Sequence, residues 1–429
     1  MERARVVIVG GGFGGLEAAR ALGGKPVEVT LIDRRNFHLF QPLLYQVATG
    51  GLSEADIAAP LRAILKGWPN ITVRLGTAVD LNPEARLLLL EEREAVPYDF
   101  LILAAGSRHH YFGHPEWEPE APGLKTLEDA LEVRRRVFLA FEEAERVRDP
   151  QEQGAWLRFV IAGGGPTGVE LAGALGELTR GTLPGEFRRI RPESAEIVLV
   201  EAQERLLPGY RPAASARATR ALNRLGVRVL TKTRVLEISS QGVRLQQGEK
   251  ETILAARTVL WAAGNRAAPL TQTLQERCGA TLDRNGRVFV REDLSLPHHP
   301  EIFIVGDTAS VRSPSGDPLP AIAPVAVQEG RYAARAILAR MRGERLQPFR
   351  YRSPGAMAVI GRHEAVVQTG RGVVFGGFLA WLVWLLVHIR ALVGFENKLV
   401  VFVRWAWSYF TRNPGSRLIL DLPEKGEPQ

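Results

Sequence analysis

An α/β fold of two doubly wound units followed by an apolar helical tail is what the sequence predicts, on three observations. An apolar strand pattern runs into a glycine turn and a helix start twice, once from Val6 and again from Phe159. Each copy has a later strand that passes through Ala-Ala into a glycine, Gly106 in the first and Gly264 in the second. From Gly372 onward the chain turns apolar and rich in tryptophan. With 429 residues it exceeds one ordinary domain, and 45% hydrophobic against 24% charged residues is the composition of a folded chain with a large core.

Residues 6–9 read as the first strand, Gly10-Gly11-Gly12-Phe13-Gly14-Gly15 as a tight turn, and Leu16-Glu17-Ala18-Ala19-Arg20 as a helix start; the strand 27–32 then closes on Asp33. The second copy repeats this grammar with 159–162, Gly163-Gly164-Gly165-Pro166-Thr167-Gly168, the helix start Val169-Glu170-Leu171-Ala172 and the strand 197–200 closing on Glu201. In G-x-G-x-x-G the first glycine permits the turn, the second lets backbone N–H groups approach a pyrophosphate, and the third lets the helix pack on the strand. Gly10, Gly12 and Gly15, with Gly14 beside them, take these places in one copy, and Gly163, Gly165 and Gly168 take them in the other. One such turn is weak evidence, but strand, helix and terminal acid agreeing twice is strong. Asp33 and Glu201 stand where a carboxylate accepts from an adenosine ribose, Glu201 at a longer interval that an insertion at 180–194 explains. An acid there repels a 2′-phosphate and favours NAD over NADP, while Arg205 nearby leaves that choice open.

Two Rossmann-like dinucleotide-binding domains suggest one tightly bound flavin and one visiting nicotinamide, because hydride must pass between two cofactors. The strand 302–305 runs into Gly306-Asp307, whose carboxylate can accept from a ribityl hydroxyl; it returns the chain to the first unit and assigns FAD there. Before it, Asp283-Arg284-Asn285-Gly286 signals a turn. The expected division is therefore 1–110 and 276–345 as two parts of an FAD-binding domain, 111–275 as an NADH-binding domain, and 346–429 as a C-terminal membrane-anchor or dimerisation region. The stretch 108–123, with Gly113, Pro115, Pro119 and Pro122, reads as a crossover rather than a packed element and carries the first boundary.

The formal charge of +8 admits anionic partners. Its arginines are scattered, without a run of five or a zinc-finger or RNP-type motif, so lipid head groups are expected and nucleic acid is not. The single cysteine, Cys278, excludes an internal disulfide, a CxxC pair and a multi-cysteine metal site. His109, His110 and His114 share a proline-rich loop with no evident acidic or thiolate partner at ligand spacing, and no metal is expected. The apolar residues before Gly10 are too few for a signal-peptide core, and residence in the cytosol is expected.

The apolar run 372–389 is broken only by His388 and sits at the short edge of the roughly 17–25 residues a spanning helix needs, with Gly376-Gly377 shortening it further. A helix lying on the bilayer is preferred to one that spans. In the next segment Asn397, Arg404, Ser408 and Thr411 fall on one narrow face, and apolar residues including Phe410 cover the rest. Trp381, Trp384, Trp405 and Trp407, with Arg390, Lys398, Arg404 and Arg412 around them, match a monotopic anchor on anionic head groups. The expected place is the cytoplasmic face of the cell membrane. A buried dimerisation helix pair is the alternative, one segment can do both, and a homodimer is expected.

The two fingerprints and the Gly306-Asp307 element resemble the glutathione-reductase-like flavoprotein superfamily over about residues 1–340. Its disulfide reductases and sulfide:quinone reductases need cysteine sets this chain lacks, and its peroxide-reducing NADH oxidases need a thiol where Arg34-Arg35-Asn36-Phe37-His38 stands. Arg35-Asn36-Phe37-His38-Leu39-Phe40-Gln41-Pro42-Leu43-Leu44-Tyr45-Gln46-Val47-Ala48, Ala323-Pro324-Val325-Ala326-Val327-Gln328-Glu329-Gly330, Gly355-Ala356-Met357-Ala358-Val359-Ile360-Gly361-Arg362 and the tryptophan-rich tail resemble the type II NADH:quinone oxidoreductases nearly end to end. That resemblance implies a membrane-associated flavoenzyme that oxidises NADH and passes two electrons through FAD to a membrane quinone without pumping protons. It implies that Gln328 helps shape the quinone pocket, with Pro324 where many members carry a second glutamine, and that Glu170 stands at the nicotinamide and flavin to orient the ring or relay protons. From the residues alone Glu170 is equally an acid favoured by a helix N-terminus, as Glu17 is at the same place in the first copy. His38 and Tyr45 are open in the same way. Two rival functions stand beside this one: an NADH-dependent reductase of a soluble electron-carrier protein, and a flavin-binding membrane interaction protein.

Overall fold

A computed structural model describes residues 3–91, 93–314, 316–393, 395–411 and 415–420, without the side chains of 395–397 and 407–411. Asn397, Trp407, Ser408, Phe410, Thr411 and Arg412, each given a role above, therefore have side chains outside the described residues. The chain divides into two units, Met1–Leu39 with Ala58–Arg108 and Asn265–Pro354, and Phe40–Ile57 with His109–Gly264 and Gly355–Gln429.

In the first unit a six-stranded sheet runs in the order Ser295–Leu296, His299–Ile304, Phe100–Leu103, Ala4–Val9, Val27–Asp33, Ile71–Leu75. All pairings are parallel except that of Ser295–Leu296. Val6, Val7, Ile8, Leu101, Ile102 and Leu103 are all buried, as continuous apolar runs must be when both faces of a parallel sheet are covered. Ile302 lies opposite Leu101, so the late strand does return to the first sheet. Helices Phe13–Leu22 and Ala323–Met341 pack together, and Gly330 permits it: a Cβ there would lie 2.1 Å from the Gly14 carbonyl oxygen.

The second unit repeats the pattern in a four-stranded parallel sheet ordered Val227–Leu230, Glu196–Val200, Arg158–Ala162, Thr258–Trp261. The helix Pro166–Glu177 follows its glycine turn, and two further pieces pack against that helix. One is the short helix Leu44–Ala48; the other is the strand Gly355–Gly361, first of the antiparallel set Gly355–Gly361, Glu364–Thr369, Val374–Gly377.

One expectation is corrected and another is sharpened. The 108–123 stretch is packed: Tyr111, Trp117 and Ala121 are buried in one core with Trp261, and the Tyr111 and Trp261 rings stack at 5.2 Å. Its aromatic residues bury enough area to outweigh what its prolines and glycine signal locally. The helix of the apolar run 372–389 is shorter than the run, as Gly376-Gly377 signalled: the run opens as the strand Val374–Gly377 and turns at Gly377, φ +83°, into the helix Phe378–Ala391. Fourteen residues rise about 21 Å against a hydrocarbon core of about 30 Å. Among the described residues no helix is long and apolar enough to cross a membrane.

Candidate functional site

The two glycine turns agree position by position. Gly10 has φ +99°, and a Cβ there would sit 2.3 Å from the Ala104 carbonyl oxygen; Gly163 has φ +115°, and its Cβ would sit 2.7 Å from that of Ala262. A Cβ on Gly15 would be 1.8 Å from the Gly10 oxygen, and one on Gly168 would be 1.8 Å from the Gly163 oxygen. Gly12 and Gly165, by contrast, would have nothing within 4 Å of an added Cβ. Each is the N-cap of its helix with no side-chain cap, so the open space lies at a helix N-terminus whose first turn no side chain caps, where a pyrophosphate fits. Gly14 faces Val305 and the Ala326 carbonyl instead, at the helix contact.

The two strand-end acids brace these turns. Asp33 accepts from the Gly11 N–H at 2.5 Å and the Arg35 N–H at 2.7 Å; Glu201 accepts from Gly164 at 2.6 Å and Gln203 at 2.7 Å. The longer interval before Glu201 leaves this geometry unchanged. Each carboxylate has lone pairs left for a ribose. Arg205 is committed elsewhere, donating to the carbonyls of Tyr210 at 2.8 Å and Pro208 at 3.0 Å. His38 supports the first turn from behind: Nδ1 donates to the Gly11 carbonyl at 2.9 Å, and burial keeps the ring neutral by lowering its pKa.

Gly106, φ +72°, follows the strand Phe100–Leu103, and beside it the Ser107 hydroxyl donates to the Asp307 carboxylate. Glu329, buried on the helix Ala323–Met341, accepts from the Gly306 N–H at 2.5 Å and so fixes the turn that presents Asp307. Burial pushes its carboxyl up to about 8. The neighbouring Gln328 donates to the Arg352 carbonyl at 2.9 Å and accepts from the Arg352 N–H at 3.0 Å. One N–H and one lone pair of its amide remain for another partner. In the second unit Gly264, φ +69°, closes on the proline-rich stretch, its carbonyl accepting from His110 at 3.3 Å.

Glu170 and Glu17, alike in sequence, differ in surroundings. Glu17 is held by Arg20 at 3.0 Å and Arg331 at 2.6 Å. Glu170 is half-buried, receives the backbone N–H of Val359, and has no cationic partner among the described residues; burial pushes its carboxyl up to about 8. Helix-dipole stabilisation of a charge does not account for a carboxyl that stays protonated at neutral pH. Tyr45 is buried close by, its hydroxyl accepting from Gln46 Nε2 at 2.8 Å.

The tail departs from the expected anchor in detail. Trp384 is buried against His388 and Trp405, with ring centroids at 4.4 Å and 5.3 Å. Trp405 donates to Gln46 Oε1 at 2.7 Å, and Arg404, expected among head groups, instead pairs with the buried Asp56 at 2.6 Å. Outward-facing side chains are Phe378, Leu379, Leu382, Leu386 and Val387 on one helix and Leu399, Val400, Phe402 and Val403 on the next. The histidines of the proline-rich stretch also have partners the spacing did not show, His109 on Asp129 at 3.0 Å and His114 on Glu116 at 2.9 Å. No group of three or more potential metal ligands occurs among the described residues. Cys278 is buried, and its thiol is pushed up to about 11.

Sequence reasoning missed Ser107, Glu329, Glu177 and the Gln46–Trp405 and Asp56–Arg404 pairs. Glu329 was within reach, as an acid inside an apolar helix pattern; the rest join residues far apart in the chain and leave no local signal.

A family model described as pyridine nucleotide-disulphide oxidoreductase matches residues 4–330, and one described as the NDH2 C-terminal domain matches 354–413. The chain is 42% identical to the type II NADH:quinone oxidoreductase NdhA of Mycobacterium tuberculosis, over 97% of this chain and 89% of that one. To Ndh of the same organism it is 41% identical, over 98% and 91%. Among solved structures, NDH2 from Plasmodium falciparum shares the fold with a TM-score of 0.88 at 19% identity, covering 98% of this chain and 100% of that one. The sulfide:quinone oxidoreductase of Aquifex aeolicus shares it at 0.73 and 18% identity, over 96% and 92%. With two glycine cradles, an NDH2-type C-terminal region and this identity along almost its whole length, the chain belongs to the type II NADH:quinone oxidoreductases.

Proposed function

We infer that the protein oxidises NADH and passes two electrons through FAD to a membrane quinone. The observation that carries this reading is the pair of matching cradles, which gives one chain room for two dinucleotides. FAD, held at Gly10, Gly12, Gly15 and Asp33 with Asp307 toward its ribityl chain, supplies the hydride-accepting and electron-donating chemistry. Gly163, Gly165, Gly168 and Glu201 hold NADH. Glu170 orients the nicotinamide and holds a proton for the quinone, and Gln328 turns its free N–H toward the quinone pocket. The outward apolar side chains of the tail rest on the cytoplasmic surface of the cell membrane, where a quinone with a long apolar chain resides, and the protein works as a homodimer.

The test is anaerobic stopped-flow absorbance of the FAD-loaded protein. NADH bleaches the flavin bands rapidly, and a quinone restores them rapidly. Bleaching without recovery by any quinone would discard the quinone acceptor and favour a soluble protein carrier.

NADPH is expected to be a poor substrate. Its 2′-phosphate meets the Glu201 carboxylate while Arg205 is spent on backbone carbonyls. A like-charge contact of this kind costs several kcal/mol, so kcat/KM for NADPH falls on the order of 100-fold below that for NADH. Steady-state rates with both coenzymes and a soluble acceptor check this, and equal values would move the ribose site away from Glu201.

A further inference from the structure

The helix Pro166–Glu177 carries a second acid, Glu177, two turns beyond Glu170. Both lean on the same neighbour: the Glu170 carboxyl receives the N–H of Val359, and Glu177 Oε1 receives that of Arg362. Glycine makes this approach feasible. A Cβ on Gly173 would lie 2.0 Å from the Ile360 carbonyl oxygen, and one on Gly361 would lie 3.1 Å from Glu177 Oε1. The helix Leu44–Ala48 packs on the same helix and brings the buried Tyr45 within electrostatic reach of both acids. Gln46 donates into the phenol oxygen, so the hydroxyl proton of Tyr45 points elsewhere. Gln46 is itself fixed by Trp405.

We propose that Glu177 and Tyr45 form, with Glu170, a proton-carrying chain that brings in from solvent the one proton each turnover requires. This rests on the reading of Glu170 given above. NADH + quinone + H⁺ gives NAD⁺ + quinol: the hydride supplies one hydrogen and the electron pair, and a proton from water completes the second O–H. No direct hydrogen bond joins either acid to the phenol among the described residues, so one water on each side completes the chain: the Glu177 O–H bond breaks as its proton passes through the first water to the free lone pair of the Tyr45 oxygen. The Tyr45 O–H breaks as its own proton passes through the second water to the Glu170 carboxylate, and solvent reprotonates Glu177. The phenol ends as it began. Burial keeps it protonated, so it transmits a proton without dwelling as phenolate. Burial also pushes Glu177 up to about 7, opposed by the Arg362 N–H and guanidinium, and Glu170 up to about 8, so both exchange protons near neutrality.

The other titratable groups nearby have assigned partners. Tyr210, which faces Glu170, donates to the Met357 carbonyl at 3.0 Å. On the remaining elements packed against this helix, Arg158 and Arg228 are paired with Glu196, Arg217 and Arg224 with Glu364, Arg180 donates to Thr179, and Arg220 is exposed to solvent.

The experiment compares wild type, Glu177→Gln and Tyr45→Phe as FAD-loaded proteins, following both half-reactions with NADH and then menadione between about pH 6 and about pH 9. Bleaching by NADH stays within about twofold of wild type in both variants. Recovery with menadione slows at least about tenfold near pH 6, where the wild-type chain is fully protonated, and the wild-type decline through about pH 7 disappears. Infrared absorption of protonated carboxyls gives a readout apart from turnover: Glu177→Gln lacks one carboxyl titrating near pH 7 that Tyr45→Phe retains. Recovery with wild-type rate and pH profile in both variants would overturn the proposal, and so would equal slowing of both half-reactions at every pH, the mark of a structural role. A wild type that no quinone reoxidises would remove the quinone reading itself, and this chain with it.

Discussion

Gly168→Ala abolishes useful NADH oxidation while the protein keeps its bound flavin, and Gly15→Ala does the reverse, emerging without flavin. In both, the new methyl carbon would sit 1.8 Å from a carbonyl oxygen of the first glycine in the same turn, with no flexible side chain to give way. Helix and turn must therefore separate by more than an ångström. Overpacking of this kind costs about 1–3 kcal/mol of stability, which a domain of this size survives. The functional cost is larger, because displacing a bound reactant by about 1 Å can lose about 100-fold in rate. For Gly168→Ala the expected result is a flavin-to-protein absorbance ratio like wild type with kcat/KM for NADH down at least about 100-fold with a soluble acceptor. Gly12→Ala and Gly165→Ala separate packing from ligand contact. Their methyl groups enter open space, so thermal stability without added nucleotide is unchanged and only affinity for the nucleotide drops. If Gly168→Ala retained NADH turnover within about tenfold, or lost flavin as Gly15→Ala does, the assignment of FAD to the first cradle and NADH to the second would be wrong.

These cradles were legible because backbone geometry imposes them locally: a positive φ at Gly10 or Gly163 and a helix riding on Gly15 or Gly168 leave glycine as the residue that fits. The parallel strands were legible for a similar reason, since burial on both faces requires unbroken apolar runs. Legibility ended where a side chain's meaning depends on a partner far along the chain. Glu17 and Glu170 have the same place in the same motif, yet one meets the cation of Arg331 and the other a strand that begins at Gly355. Asp56 and Arg404 look like surface charges until the fold pairs them. Individual side chains of the tail were misplaced for the opposite reason: it is apolar nearly all round, so periodicity could not say which side faces protein. Trp384 and Trp405 turned inward, where the indole N–H of Trp405 has Gln46 to bind, and leucine, valine and phenylalanine side chains were left outside.

That inversion decides how the membrane reading is best tested. Cutting the chain after Gly372 would remove the strand Val374–Gly377 together with the buried Trp384 and leave Asp56 buried without Arg404, so loss of activity would say nothing about lipid. The double substitution Leu386→Glu and Phe402→Glu avoids this, because the two side chains are 58% and 51% exposed on separate helices. Burying each wild-type side chain in lipid contributes about 1.5–3 kcal/mol, and a charge in its place reverses the sign, so together they weaken partition onto vesicles by at least about 100-fold. The variant keeps its flavin, its melting temperature and its turnover with a short water-soluble quinone, while turnover with a long-chain quinone embedded in vesicles collapses. A control at Trp384→Ala instead lowers the melting temperature, since removing a buried tryptophan costs about 3–5 kcal/mol. Two other outcomes bear on the rival for this surface. If the double variant still sediments with vesicles and turns over the embedded quinone, the face does not contact lipid. If it runs as a smaller species by light scattering while vesicle binding persists, the two helices cover a second copy of the chain and the lipid contact lies elsewhere.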